Sequence, residues 1–196
     1  MNDLYEEALS HFAEWFKEAG KKGLREPTAV CLATADARGR PSARTVLLKG
    51  FDARGFVFYT NLRSRKGQQM AANPHAALCF YWDPWARQVM IEGPIQPVSK
   101  TEAEAYWASR PRASQIGAWA SLQSAPLGSR RLLQTRVAES LEKFKKSKIP
   151  RPEYWSGMRL VPERIEFWVS RPSRLHERTL YSAQTEGGWT KTLLYP

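Results

Sequence analysis

Two groups of cations in this chain stand where anions would be held. The first is Tyr59-Thr60-Asn61-Leu62-Arg63-Ser64-Arg65-Lys66. A strand pattern ends there, a polar turn follows, and a helix pattern opens at Ser64. Arg65 and Lys66 fall in its first turn, where positive charge opposes the helix dipole and costs stability unless an anion is close. Free N–H groups at a helix start, with two cations, make a natural phosphate site. The competing reading is a surface helix with unfavourably placed charges. The second group is Tyr106, Arg110 and Ser114. Arg110 closes one helix pattern, Tyr106 lies one turn before it, and Ser114 opens the next. One guanidinium and two hydroxyls in that arrangement suit a second phosphate, although C-terminal capping by Arg110 explains its position equally well.

Two further segments carry charge in extended patterns. In Arg44-Thr45-Val46-Leu47-Leu48-Lys49, alternation puts Arg44, Val46 and Leu48 on one face and Thr45, Leu47 and Lys49 on the other. A solvated edge strand is the plainer explanation. In Arg174-Leu175-His176-Glu177-Arg178, the three basic side chains share a face if the segment is extended. Such a face needs an anionic or electron-rich ligand. Other chemistry is absent. There is no Cys/His cluster with zinc spacing, no Gly-x-Gly-x-x-Gly, no P-loop and no Gly-x-Ser-x-Gly elbow.

The elements that must position these residues follow from periodicity. Tyr5, Ala8, Leu9, Phe12 and Phe16 predict a helix over 4–19, with Asp3 and Glu6 as a capping box and Gly20 as its stop. Strands are expected over 28–35, 42–49, 56–61, 76–82 and 88–94, with a helix over 64–72 interrupting them. Helices follow from the Ser99-x-x-Glu102 cap to Arg110, over 114–121 and over 129–146. Strands return over 158–161, 164–169, 178–182 and 189–194. Short strands with close turns point to an antiparallel barrel or sandwich. Segments on both sides of Pro150 look interdependent, so residues 1–196 are expected to form one domain.

Bulk properties narrow the class. The chain has 196 residues, 42% hydrophobic, and a formal net charge of +11 from 30 Lys and Arg against 19 Asp and Glu. That surplus favours anionic partners, nucleic acid or small phosphorylated molecules. Nucleic-acid binding calls for aromatics interleaved with exposed cations, whereas most of the 8 tryptophans lie in apolar contexts. No apolar run is long enough for a membrane-crossing helix, and a cytoplasmic protein without a secretory leader is expected. Cys31 and Cys79 sit in apolar strand patterns, as buried free thiols would.

Taken in order, several segments resemble the pyridoxamine 5'-phosphate oxidase family. They are Arg-Thr-Val-Leu-Leu-Lys (44–49), Phe-Tyr-Thr-Asn (58–61), Ser-Arg-Lys (64–66), Arg-Gln-Val (87–89), Ser-Arg-Pro-Arg-Ala-Ser-Gln-Ile-Gly-Ala (109–118), Gln-Ser (123–124), Glu-Phe-Trp (166–168) and Arg-Leu-His-Glu-Arg (174–178). The resemblance implies a mainly β fold with helices, a split antiparallel β-barrel that binds flavin mononucleotide (FMN). It implies a homodimer with FMN at the subunit interface, and oxidation of phosphorylated B6 vitamers by O2. FMN contacts are implied for Arg44, Thr45, Val46, Leu47, Leu48, Lys49, Tyr59, Thr60, Arg65, Lys66, Gln88, Gln123, Ser124, Trp168 and Arg178. Gln123 and Ser124 are expected to complete the other subunit's flavin site. Substrate contacts are implied for Lys49, Tyr106, Arg110, Ser114, Arg174 and His176, the last two beside the reacting ring. The chain departs from the family's common pattern at Trp155-Ser156-Gly157, often Trp-Gly-Gly, and at Val169-Ser170, often Gln-Gly. A non-catalytic flavin- or haem-binding split barrel is the alternative, and it would lack the substrate set.

Overall fold

A computed structural model describes residues 3–21 and 23–196. The chain opens with helix α1 (Asp3–Lys21). Strands β1 (Ala29–Ala35), β2 (Pro41–Leu47), β3 (Gly50–Asp52) and β4 (Gly55–Asn61) follow. Helix α2 (Arg65–Ala72) precedes β5 (His75–Trp82) and β6 (Arg87–Pro97). Three helices come next, α3 (Lys100–Ser109), α4 (Arg112–Ala120) and α5 (Arg130–Lys143). Strands β7 (Trp155–Leu160), β8 (Arg164–Val169), β9 (Glu177–Ala183) and β10 (Trp189–Leu194) complete the fold.

The strands form one curled antiparallel sheet in the order β10-β9-β8-β6-β5-β1-β2, and a second arm runs β3-β4-β7-β6. This is the expected split barrel. Strand β6 belongs to both arms. Its first part pairs with β5 and β8, and Ile95 to Pro97 pair with β7. The crossing point is Gly93, where any Cβ would lie 2.0 Å from the Val161 carbonyl oxygen. Only glycine allows that approach.

Alternation sets the inner face. Val30, Leu32, Leu78, Phe80, Val89, Ile91, Ile165 and Phe167 point inward and are buried. α1 plugs the barrel with Ala8, Phe12, Trp15 and Ala19. Phe12 meets Phe51 and Phe56 edge-on, both with centroids 4.9 Å away. A second core under the helices gathers Trp107, Ile116, Phe144, Ile149 and Trp155. The Trp107 indole donates to the Ile149 carbonyl at 2.8 Å, satisfying its one polar group.

Several expected boundaries change. α1 continues through Gly20 to Lys21, because its apolar face remains packed to Ala19. Asp3 is already helical, so the cap lies outside the described residues. β2 ends at Leu47, so Lys49 does not share a strand face with Thr45. Instead its N–H donates to the Val57 carbonyl, leading into the short hairpin β3-β4. Ser114 lies within α4, whose N-cap is Pro111. The thiols are not buried: Cys31 is exposed and Cys79 is half-buried, because both fall on the sheet's outer face.

Candidate active site

Strand β2, the β4 end, α2 and the α3-α4 corner surround a cavity of about 680 Å3. Its walls include Thr45, Val46, Leu47, Lys49, Tyr59, Thr60, Lys66, Tyr106, Arg110, Ser114 and Gln123. Eleven of the residues singled out by sequence thus come together from segments up to 78 positions apart in the chain.

Local structure explains how each side chain arrives. Ser64 caps α2 by accepting from the Gly67 N–H at 3.4 Å, which leaves Lys66 in the first turn. The Lys66 ammonium donates to the Gln123 side-chain oxygen at 3.0 Å. Gln123 thus lines this chain's own cavity. Ser124 beside it adopts a left-handed φ of 71°. Tyr59 stacks on Tyr106, centroids 3.8 Å apart, and Trp155 lies near-parallel beside both rings, 5.4 Å from Tyr59 and 6.1 Å from Tyr106. The Arg110 guanidinium lies 4.6 Å from the Trp155 ring centroid.

The electrostatics of this region are set by partly buried cations. Burial pulls the Arg110 guanidinium below its ordinary range. Arg110 Nη1 is buried with no hydrogen-bond partner. Burial lowers Lys66, and the nearby Arg44 charge lowers it further. Burial also lowers Arg44, with the Arg65 charge second. Lys66 and Arg110 both line the cavity, and two cations desolvated in one wall favour an anion there.

Not every expected residue lines the cavity. Leu48 is a core residue, 3% exposed. Arg44 turns away from the cavity: it donates to the Leu32 carbonyl, to Thr34 Oγ1 at 2.6 Å and to Gln69 Oε1 at 3.2 Å. Arg65 is exposed on the first turn of α2.

The remaining residues form a separate cluster. Gln88, Trp168 and Arg178 are register partners across β6, β8 and β9. Trp168, Arg174 and His176 line a smaller cleft of about 370 Å3. His176 lies 4.6 Å from Trp168, ring to ring. Its Nδ1 accepts the Arg171 N–H at 3.2 Å, so the neutral ring carries its proton on Nε2. Arg178 is held by Glu166 at 2.7 and 3.0 Å. The segment is not extended throughout, which corrects the shared-face expectation. Arg174 ends a 3₁₀ turn, with Ser173 at φ 57° and Arg174 at φ 64°. Two non-glycine residues in that region store strain of the kind concentrated at ligand sites.

Both clusters occupy the sheet's outer face. The rows Thr45–Cys31–Cys79–Met90–Glu166 and Tyr81–Gln88–Trp168–Arg178 follow from the register. From β2 to β8 there are four strand steps, or roughly 19 Å. Sequence reasoning missed Trp155, which lies beside the aromatic stack, and Gln69, which holds Arg44. Neither carries a charge, and Trp155 entered the sequence reading only as part of the Trp155-Ser156-Gly157 segment, without a role.

The comparisons with known proteins fit this geometry. Residues 16–144 match the family model "Pyridoxamine 5'-phosphate oxidase". Residues 155–196 match "Pyridoxine 5'-phosphate oxidase C-terminal dimerisation region". The chain belongs to the pyridoxamine 5'-phosphate oxidase family. A curated relative from Alkalilimnicola ehrlichii, named pyridoxine/pyridoxamine 5'-phosphate oxidase, is 55% identical over 195 residues, covering 98% of this chain and 99% of that one. One of the same name from Caulobacter vibrioides is 55% identical over 191 residues, covering 97% and 86%. Among solved structures, PhzG from Burkholderia lata 383, in complex with tetrahydrophenazine-1-carboxylic acid, aligns with a TM-score of 0.90 at 32% identity, covering 100% and 98%. A pyridoxamine 5'-phosphate oxidase-related, FMN binding protein from Nostoc punctiforme shares the fold, with TM-score 0.77 at 20% identity, covering 98% and 97%. Of the family's two common glycines after Trp155, this chain keeps Gly157. A Cβ there would meet Tyr59 Cε1 at 2.7 Å and Val98 Cγ2 at 2.8 Å.

Proposed function

We propose that this family member binds FMN and oxidises pyridoxamine or pyridoxine 5'-phosphate to pyridoxal 5'-phosphate, with O2 as the electron acceptor. The observation that carries the reading is the unpartnered, buried Nη1 of Arg110 beside Tyr106 and Ser114 in the cavity wall. A substrate phosphate there would satisfy it. The ligand named for PhzG carries a carboxylate and no phosphate, so this phosphate set favours the B6 vitamers named for the curated relatives. It also favours an enzyme over a non-catalytic binder.

FMN fits the same cavity. Lys66, Thr60 and Gln123 would hold its phosphate end, and Thr45 to Leu47 would lie along it. Once bound, FMN would supply a two-electron acceptor for the hydride leaving the substrate's C4' carbon, with O2 taking the electrons on as H2O2 and, for the amine, water hydrolysing the resulting imine to aldehyde and ammonia. The protein contributes placement and charge. Lys49, Tyr106, Arg110 and Ser114 anchor the phosphate. His176 presents Nε2–H to a polar ring substituent, because Arg171 holds Nδ1. Arg174 presses on the ring.

Within one chain the two clusters are too far apart to share a ligand. A twofold axis through the middle of the outer face would bring Trp168, Arg174, His176 and Arg178 of one copy over the cavity of the other. The match of residues 155–196 to a dimerisation region supports this arrangement. The exposed Cys31 and half-buried Cys79 are free thiols, in keeping with a cytoplasmic setting.

The test is complementation. Arg110→Ala and Arg174→Ala homodimers should each be impaired. Mixed after dissociation, they should regain activity up to about a quarter of wild type, because half the dimers are mixed and each has one intact site. No recovery on mixing would place both residues in a site made by one chain.

A further inference from the structure

We infer that Arg159 positions the phosphate end of the site by fixing helix α3 against the barrel. The inference rests on the reading that Tyr106 and Arg110 take the substrate phosphate. Arg159 lies on β7, opposite Val57, and is only 4% exposed. Its Nη2 donates to Glu102 Oε1 at 2.6 Å and its Nη1 to Asp52 Oδ1 at 3.2 Å. Arg54 closes the ring from the surface, 2.6 Å from Asp52 and 3.2 Å from Glu102.

Glu102 stands in the first turn of α3 and uses its two oxygens differently. Oε2 accepts the Ser99 N–H at 3.2 Å, one half of the capping box, while Oε1 takes Arg159. The carboxylate that starts the helix is therefore the one tied to the barrel. Tyr106 lies one turn further along the same face and Arg110 a turn beyond, as the helix ends. α3 has ten residues, a length of about 15 Å. A tilt of about 5° at the anchored end would carry Arg110 by about 1.3 Å. Misplacement on that scale is enough to spoil binding at a preorganised site.

A packing role alone does not call for this residue. An apolar side chain of similar volume fills such a site as well or better for stability. What the guanidinium adds is direction: its planar fork, one arm on Asp52 of β3 and the other on Glu102 of α3, fixes where α3 starts relative to β3 and β7.

The holoenzyme variants Arg159→Met and Glu102→Gln test this. Arg159→Met keeps an unbranched apolar stem and leaves Asp52 and Glu102 paired with Arg54. Glu102→Gln keeps an acceptor for the cap and loses the charge. Anaerobic flavin reduction is titrated with pyridoxamine 5'-phosphate and, separately, with pyridoxamine lacking the phosphate. For both variants the half-saturating concentration of the phosphorylated amine should rise about tenfold. Flavin content, limiting rate and the response to phosphate-free amine should change less than about twofold. Equal losses for the two amines would mean a merely structural role, and no loss for either would remove Arg159 from positioning. If Arg159→Met does not fold, Glu102→Gln gives the same readout. A wild-type protein that does not distinguish the two amines would overturn the phosphate reading itself, a different result from a discriminating wild type with unaffected variants.

Discussion

At the scale of single residues, the two cation groups have different jobs in this account. Arg110→Ala should stay yellow and bind substrate one to two orders of magnitude more weakly, since a charge-assisted contact is worth roughly 1.5–3 kcal/mol. Lys66→Ala, and Arg65→Ala to a lesser degree, should lose flavin instead. Equilibrium dialysis and flavin absorbance separate the two outcomes, and identical defects would undo the assignment. Arg174 and His176 should divide in a similar way. Arg174 sits at a strained left-handed turn that fixes its direction, so Arg174→Ala should slow anaerobic flavin reduction up to about a hundredfold. His176→Ala should slow it less, with flavin kept in both, as stopped-flow reduction at saturating substrate would record. The charged residues were legible in the sequence because they broke local rules, as Arg65 and Lys66 do at a helix start. Arg174's left-handed φ was not legible, because nothing in Arg-Pro-Ser-Arg distinguishes a 3₁₀ turn from an extended run. Trp155 was hidden for another reason: an uncharged aromatic gives no sign in the sequence of which rings it will lie beside.

At the scale of elements, β-alternation carried the fold. The strand pattern of β5 and the hydrophobic stripe of α1 could be read directly. The short hairpin β3-β4 could not, since three residues give too little period, and its existence moved Lys49 off the β2 face. Which side of a strand faced solvent was also undetermined, so the outward thiols were misjudged. Two substitutions probe the elements. Phe12→Ala removes the ring that four other phenylalanines contact, and should cost about 3–5 kcal/mol in denaturant unfolding. Gly157→Ala puts a methyl group against Tyr59. It should disturb the Tyr59–Tyr106 stack and weaken substrate binding more than it lowers the melting temperature. A variant with full substrate affinity would show that the stack tolerates the shift.

At the scale of the whole molecule, β6 ties both arms of the sheet together and the helices of residues 100–143 pack between strands on either side of them in sequence. The protein is therefore expected to unfold in one calorimetric transition, whereas two transitions divided near Pro150 would contradict a single unit. Light scattering should give a dimer, and flavin should be lost on dilution to monomer, because the cavity of about 680 Å3 and the Trp168 cleft lie on opposite sides of the same face. The extracted cofactor should be FMN rather than the adenine dinucleotide. All of this depends on one reaction. The purified protein should be yellow, with an oxidised-flavin spectrum that bleaches on anaerobic addition of pyridoxamine 5'-phosphate and returns on admitting air. A flavin-loaded protein whose spectrum that substrate leaves unchanged would contradict the account.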